Sequence, residues 1–191
     1  KNYEKIINKK IDLKKIKKIY LEDSQYYTED VRKNIIDKFG FDSVYKQGLN
    51  IKTPIDLKLQ KIATKALREG LVDYDKRKGW RGSILNKDYS KDWNKGLEKI
   101  KLEKSINWKI AIIKKIEKFS AEIETEDKLK GFIKYENITW TKKEISDLFQ
   151  VGDVVYVENI NDKNYALRQL PKVNGGIVVM DPFTGRVLAL S

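Results

Sequence analysis

The stretch Gly48-Leu-Asn-Ile-Lys-Thr-Pro-Ile-Asp-Leu-Lys-Leu-Gln-Lys-Ile-Ala-Thr-Lys-Ala-Leu-Arg-Glu-Gly-Leu71 decides how the rest of the chain is read. Leu49 to Thr53 alternates apolar and polar residues, the period of a half-buried strand. From Ile55 onward the period changes to 3.6, with Ile55, Leu59, Ile62, Ala63, Ala66, Leu67 and Leu71 on one helical face. Thr53 and Asp56 are N-cap candidates, Pro54 suits a first turn, and Gly70 lies near the expected C-terminus. The stretch therefore predicts a strand, a turn and a helix of about four turns. Such a unit has no chemistry of its own; its interest lies in what it packs against.

Outward from it, Thr28 is the expected cap of a helix over Glu29–Phe39 that stops at Gly40. Lys1 to Ile19 reads as one or two short basic helices, with contact to an anionic membrane surface as the sharper reading and a solvated connector as the plainer one. Downstream, Asp88–Leu102 is a candidate helix within a stretch of no clear period. Trp108–Ile116, Phe119–Thr125 and Lys128–Tyr135 read as three strands. Trp140–Gln150 reads as a short helix, with Thr141 as cap and Glu144 at the capping-box position. Val154–Asn159 and Tyr165–Leu170 are a fourth and a fifth strand, joined by a turn at Asn161–Asn164. Five short strands with a helix between the third and fourth is the order of an OB-fold barrel. At the end of the chain, Ile177–Met180 and Val187–Leu190 are apolar at every position, as in strands buried on both faces. The loop Asp181–Gly185 between them predicts a hairpin.

The residues also resemble a family. Thr53, Ile55, Asp56, Leu59, Gln60, Ala63, Ala66, Leu67, Gly70, Leu71 and Tyr74, followed by Gly79-Trp80-Arg81-Gly82, are similar to the pattern of class A penicillin-binding proteins. Pro54 departs from that pattern, where a second threonine is usual. Gln25–Gly40 resembles the family's linker helix, and Gly175–Leu190 resembles the hairpin that opens its transpeptidase sheet. Val151-Gly-Asp-Val-Val155 and Leu167-Arg-Gln-Leu-Pro171 resemble its inserted OB-like domain. The resemblance implies an α+β architecture: N-terminal connector helices, then a five-stranded OB-like barrel inserted into a helix-plus-hairpin unit that begins a transpeptidase domain. The expected division is 1–47 as connector, 48–82 with 172–191 as the start of the transpeptidase domain, and 83–171 as the barrel. Leu59, Ile62, Ala66 and Leu67 are then expected to meet Ile177, Val179, Val187 or Ala189. The structural signature is Thr53, Asp56, Leu59, Gln60, Gly79, Trp80, Arg81, Gly82, Trp140, Asp181, Pro182 and Gly185.

For function, the resemblance implies a bifunctional cell-wall enzyme, polymerising glycan and cross-linking peptides on the periplasmic side of a bacterial inner membrane. This chain is expected to be a non-catalytic linker within it, both active sites lying outside. Expected partners are the catalytic domains of the same protein, a protein regulator on the barrel, and a second copy through the exposed hairpin face. No catalytic residue, cofactor or metal ligand is assigned. The chain contains no cysteine and no histidine, which removes thiol chemistry and nearly every zinc site. A transpeptidase nucleophile is written S-x-x-K. Ser43-Val-Tyr-Lys46 fits by letter, as Ser105-Ile-Asn107 and Phe183-Thr-Gly185 fit the companion motifs. All three are set aside, Ser43 because it falls in a connector between two glycines. Glu22-Asp23 reads as a solvent-exposed acidic turn.

The other function class is a free-standing OB-type binder of single-stranded nucleic acid. The formal charge of +12 invites it, with Trp108, Phe132, Tyr135 and Tyr156 as stacking candidates. Against it, the lysines are spread along a chain rich in Lys, Asn and Ile, and the four aromatics suit a barrel interior. No nucleic-acid partner is expected.

Overall fold

A computed structural model describes residues 21, 23–87, 93–95, 97, 100, 102 and 106–191. The expected connector helices before Tyr20 lie outside these residues. Among the described residues no helix is long and apolar enough to cross a membrane. The contacts divide the chain into two compact units, residues 1–63 with 178–191 and residues 64–177.

In the first unit, α1 spans Gln25–Phe39 and α2 spans Phe41–Lys46. Helix α1 starts one turn earlier than expected. Thr28 donates its hydroxyl to the Ser24 carbonyl at 2.8 Å, four residues back, so it bonds within the helix instead of capping it. Gly40 ends α1 with φ +80° and an N–H bond to Ile36 O at 2.7 Å. Helix α2 was not expected; it places Ser43 inside a helical turn instead of a connector. Leu49–Thr53 forms no strand, with Leu49 and Ile51 both exposed. Its alternation had no sheet to join.

Helix α3 spans Leu57–Arg77. The Asp56 Oδ1 atom accepts the N–H groups of Lys58 (2.8 Å) and Leu59 (3.1 Å), a full N-cap. Gly70 does not end this helix. The chain turns only at Gly79, whose φ is +88°, and Lys76 and Arg77 fill the last turn, where cations offset the helix dipole. The expected apolar face also needs correction. Ile62 is 62 % exposed and Ala66 is exposed, whereas Gln60, Thr64 and Asp75 are buried. The buried stripe runs Gln60, Thr64, Leu67, Leu71, Asp75, the helical period with polar residues on the inside.

The hairpin pairs β7, Val178–Met180, with β8, Val187–Leu190. Its loop is closed by Gly185 N–H to Asp181 O (2.9 Å) and by Asp181 Oδ1 accepting Phe183 N–H (2.9 Å), with Gly185 at φ +70°. Ala189 is fully buried, but Val178 and Met180 are more than half exposed, so β7 is not covered on both faces. Asp56 donates its N–H to Leu188 O at 2.9 Å and joins the start of α3 to β8.

The second unit holds a barrel. Its strands are β1 (Leu85–Asn86), β2 (Trp108–Ile116), β3 (Ser120–Thr125), β4 (Lys130–Lys134), β5 (Asp153–Asn161) and β6 (Asn164–Arg168). The order β5-β2-β3-β4-β6 returns to β5, and only β4 and β6 run parallel. That is the OB closure. The interior is aliphatic: Ile113, Ile123, Ile133, Ile138, Ile145, Val155, Val157 and Leu167, with Phe149 and Tyr165. Gly131 is required by the closure, since a Cβ there would lie 2.4 Å from the Tyr165 ring. Phe132 and Tyr135 do not fill the barrel as expected but lie on the surface, and Tyr156 and Trp108 sit outside it with rings 6.5 Å apart. The alternation on β4 puts Ile133 inside and therefore Phe132 outside.

Strand β2 is buried on both faces. Ile110 and Ile112 join Trp93, Leu97 and Val154 in a second apolar cluster, padded by Ile84, Leu85, Ile100 and Leu102. Trp93, Leu97, Ile100 and Leu102 thus cover the barrel's outer wall as single anchors. Most of the candidate helix 88–102 lies outside the described residues; Trp93–Lys95 is a turn. Between β4 and β5 the expected helix shrinks to α4, Ile145–Leu148. Thr141 is not its cap: its hydroxyl donates to Ile138 O at 2.7 Å, inside a 3₁₀ turn. Glu144 stands at the N-cap position instead, and no capping box forms.

Candidate functional site

Two of the three set-aside motifs fall on described residues. Ser43 and Lys46 share one helical turn, but Lys46 Nζ is 2.9 Å from Asp42, and both of those side chains are 69 % exposed. Lys46 is thus ion-paired and solvated on the helix surface. Thr184 and Gly185 shape the hairpin loop, and Ser105 lies outside the described residues. Asp23 lies in a turn but is half-buried, and its carbonyl accepts a bond from Gln60; Glu22 lies outside the described residues.

Two polar constructions organise the described residues. In the first unit, Gln60 is 1 % exposed. Its Oε1 accepts the Leu190 N–H at 3.0 Å, and its Nε2 donates to Leu190 O at 2.9 Å, Ser191 Oγ at 2.9 Å and Asp23 O at 2.8 Å. The side-chain amide thus bonds Leu190 as a neighbouring strand does. Tyr27, also buried, donates its hydroxyl to Val187 O at 2.9 Å.

In the second unit, the end of α3 meets both chain crossings of the barrel. Asp75 is 2 % exposed. Both of its oxygens accept from Arg81 Nη1 at 2.7 Å, Gln169 Nε2 reaches Oδ2 at 2.8 Å, and the Lys172 N–H reaches Oδ1 at 3.2 Å. Arg81 also bonds the Leu170 carbonyl, and its N–H donates to Gln169 Oε1 at 2.9 Å. Burial acts to raise the Asp75 pKa, but the bonds from Arg81, Gln169 and Lys172 and the Arg81 charge outweigh it and hold the carboxyl below its usual range. Residues 81 and 83 lead into the barrel and 169–172 lead out, so one carboxylate ties both crossings. Gly79 and Gly82, at φ +88° and +100°, turn the entering chain.

The other signature residues take simpler places. Trp80 and Trp140 are half-buried against the barrel core, rings 5.9 Å apart and nearly perpendicular. Asp56 caps α3 and Leu59 is half-buried in it, while Thr53 is exposed before it. Asp181, Pro182 and Gly185 form the hairpin loop. Sequence reasoning missed Asp75, Gln169 and Lys172. The first lies one helical turn beyond Leu71, but within Tyr74-Asp-Lys-Arg-Lys78 it reads as a solvated charge. The others carry no local signal, being 94 and 97 residues away from it.

Comparison with known proteins agrees with this architecture. Residues 80–173 match the family model of the penicillin-binding protein OB-like domain. A "Penicillin-binding protein 1A" of Rickettsia bellii is 39 % identical over 170 residues, 86 % of this chain and 21 % of that protein. The protein of the same name from Escherichia coli is 28 % identical over 182 residues, again 86 % of this chain and 21 % of that one. The crystal structure of Penicillin-Binding Protein 1A from Haemophilus influenzae superposes with a TM-score of 0.70 at 26 % identity, covering 99 % of this chain and 28 % of that one. The chain spans about a fifth of the length of the curated relatives it matches. A barrel closed in the OB order, entered through Gly79–Gly82 beside a capped helix and followed by the hairpin, places the chain in the class A penicillin-binding protein family.

Proposed function

We propose that the chain is the non-catalytic linker and OB-like section of a bifunctional peptidoglycan synthase, working on the periplasmic side of the inner membrane. Glycan polymerisation and peptide cross-linking are carried by other parts of that protein. The observation that carries this reading is the Asp75 junction. A single buried carboxylate holds the strand entering the barrel, through Arg81, and the strand leaving it, through Lys172. Such a junction seats the barrel firmly at the end of α3, which suits a spacer, whose use depends on fixed geometry. In the same reading the exposed side of β7 is covered by the remainder of a transpeptidase sheet, and a protein regulator uses the outer barrel wall.

Two measurements test it. The 191-residue chain, incubated with labelled penicillin and examined by intact mass, is expected to form no covalent adduct; a stoichiometric adduct at Ser43 would overturn the reading. In the whole synthase, replacing residues 83–171 by a flexible Gly-Ser loop is expected to leave penicillin acylation intact while lowering the yield of cross-linked product. Unchanged cross-linking would remove the spacer role.

A further inference from the structure

The chain that leaves the barrel runs through Val173-Asn-Gly-Gly-Ile177. Asn174-Gly175 is the only Asn-Gly pair in the sequence. In such a pair the main-chain nitrogen of the glycine can reach the asparagine side-chain carbonyl carbon. No Cβ obstructs the ring that forms, and the glycine backbone is free to adopt the conformation that closes it.

The surroundings leave this chemistry open. Residues 173–177 are in neither helix nor strand, and Asn174, Gly175 and Gly176 are all exposed. Among the described residues, the Asn174 side-chain amide has no hydrogen-bond partner and the Gly175 N–H has no acceptor. The glycine is also a packing point. A Cβ on Gly175 would lie 3.2 Å from both Leu67 Cδ1 and Leu71 Cδ2. Gly175 is thus seated against the inner stripe of α3, and an extra main-chain atom beside it would disturb that contact.

We propose that Asn174 is a site of spontaneous deamidation, and that its isoaspartyl product loosens Gly175 from α3. The Gly175 nitrogen gives up its proton and bonds to Asn174 Cγ, closing a five-membered succinimide. The Cγ–Nδ2 bond breaks, and the side-chain nitrogen takes up the proton and leaves as ammonia. Water then opens the ring at one of its two carbonyls. Opening at Cγ gives an ordinary aspartate. Opening at the main-chain carbonyl gives isoaspartate, in which the chain runs through Cβ and Cγ and is longer by one methylene. Water is the only co-reactant. Both products add one negative charge, but only the isoaspartate displaces Gly175 from Leu67 and Leu71. The modification stands whether or not the spacer reading holds.

The test is incubation of the 191-residue chain at mildly alkaline pH, with peptide mapping by mass spectrometry and methyl labelling by an isoaspartyl methyltransferase. Conversion at Asn174 about tenfold faster than at any other asparagine is expected, at a rate in the folded chain close to that in urea. Asn174→Gln should abolish the methyl labelling. In methyl NMR, the Leu67 and Leu71 signals should shift in the isoaspartyl chain and stay in place in Asn174→Asp, which carries the charge without the methylene. Conversion no faster than at other asparagines overturns the proposal. So does conversion about tenfold slower in the folded chain than in urea, which would show that the fold protects the pair. Leucine signals that stay in place in the isoaspartyl chain, or shift equally in Asn174→Asp, overturn the loosening.

Discussion

At the residue scale, Asp75 has the most at stake. Its carboxylate is buried and serves Arg81, Gln169 and Lys172 at once. Breaking a buried pair by removing one partner leaves the other charge uncompensated, at a typical cost of 3–5 kcal/mol. The Arg81 side chain is 28 % exposed, which favours the lower end. Asp75→Ala is therefore expected to destabilise the barrel unit by about 3 kcal/mol in urea titration, and a loss below about 1 kcal/mol would reject the junction. The acid response follows from the same contacts. The folded pKa lies below the unfolded value of about 3.9. The stabilisation is thus complete above that value and is lost as pH falls through the folded pKa. Wild-type chain should lose stability more steeply than Asp75→Asn between pH 4 and the acid limit. Parallel curves would show that Asp75 does not contribute. In sequence this residue sits in Tyr74-Asp-Lys-Arg-Lys78, where it reads as one more solvated charge. Its role depends on partners brought from the far side of the barrel.

At the element scale, strands were easier to read than helices. The periods of β2, β3, β5 and β6 are visible in sequence because each lies in a closed barrel with a fixed inside. The 140–150 segment reads as one helix because a 3₁₀ turn followed by a four-residue helix has similar apolar spacing over so few residues. What the segment does is still testable. Trp140 closes on Trp80 with perpendicular rings and packs on the barrel core. Trp140→Ala is expected to cost ~3 kcal/mol, the low end for a large aromatic that is only partly buried. The check is chemical denaturation followed by circular dichroism. A change below about 1 kcal/mol would place Trp140 on an ordinary surface. Helix α3 makes a related point. Its length exceeds the apolar run because the buried Asp75 continues the inner stripe past Leu71, and a hydrophobic period counts neither it nor the buried Gln60 and Thr64.

For the whole molecule, the charge of +12 remains the most visible property and the least structural. The aromatics that a nucleic-acid reading would use do not converge: Phe132 and Tyr135 are on the outer wall of β4 and just after it, while Trp108 and Tyr156 belong to the β2–β5 side. Binding to single-stranded DNA is expected to be weak, without base preference, and lost near physiological salt, because only dispersed lysines contribute. Submicromolar affinity at that salt, measured by fluorescence anisotropy, would show the charge to be functional. By itself the amino-acid sequence determined the five barrel strands and their OB order, the capped start of α3 and the hairpin loop, since each follows from local period, capping or turn chemistry. Only the tertiary structure decided that Leu49–Thr53 stays unpaired, that Gln60 bonds Leu190 like a strand, and that Asp75 joins the entering and leaving chains. These depend on backbone groups left over once the sheets have closed, and their partners lie up to 130 residues away.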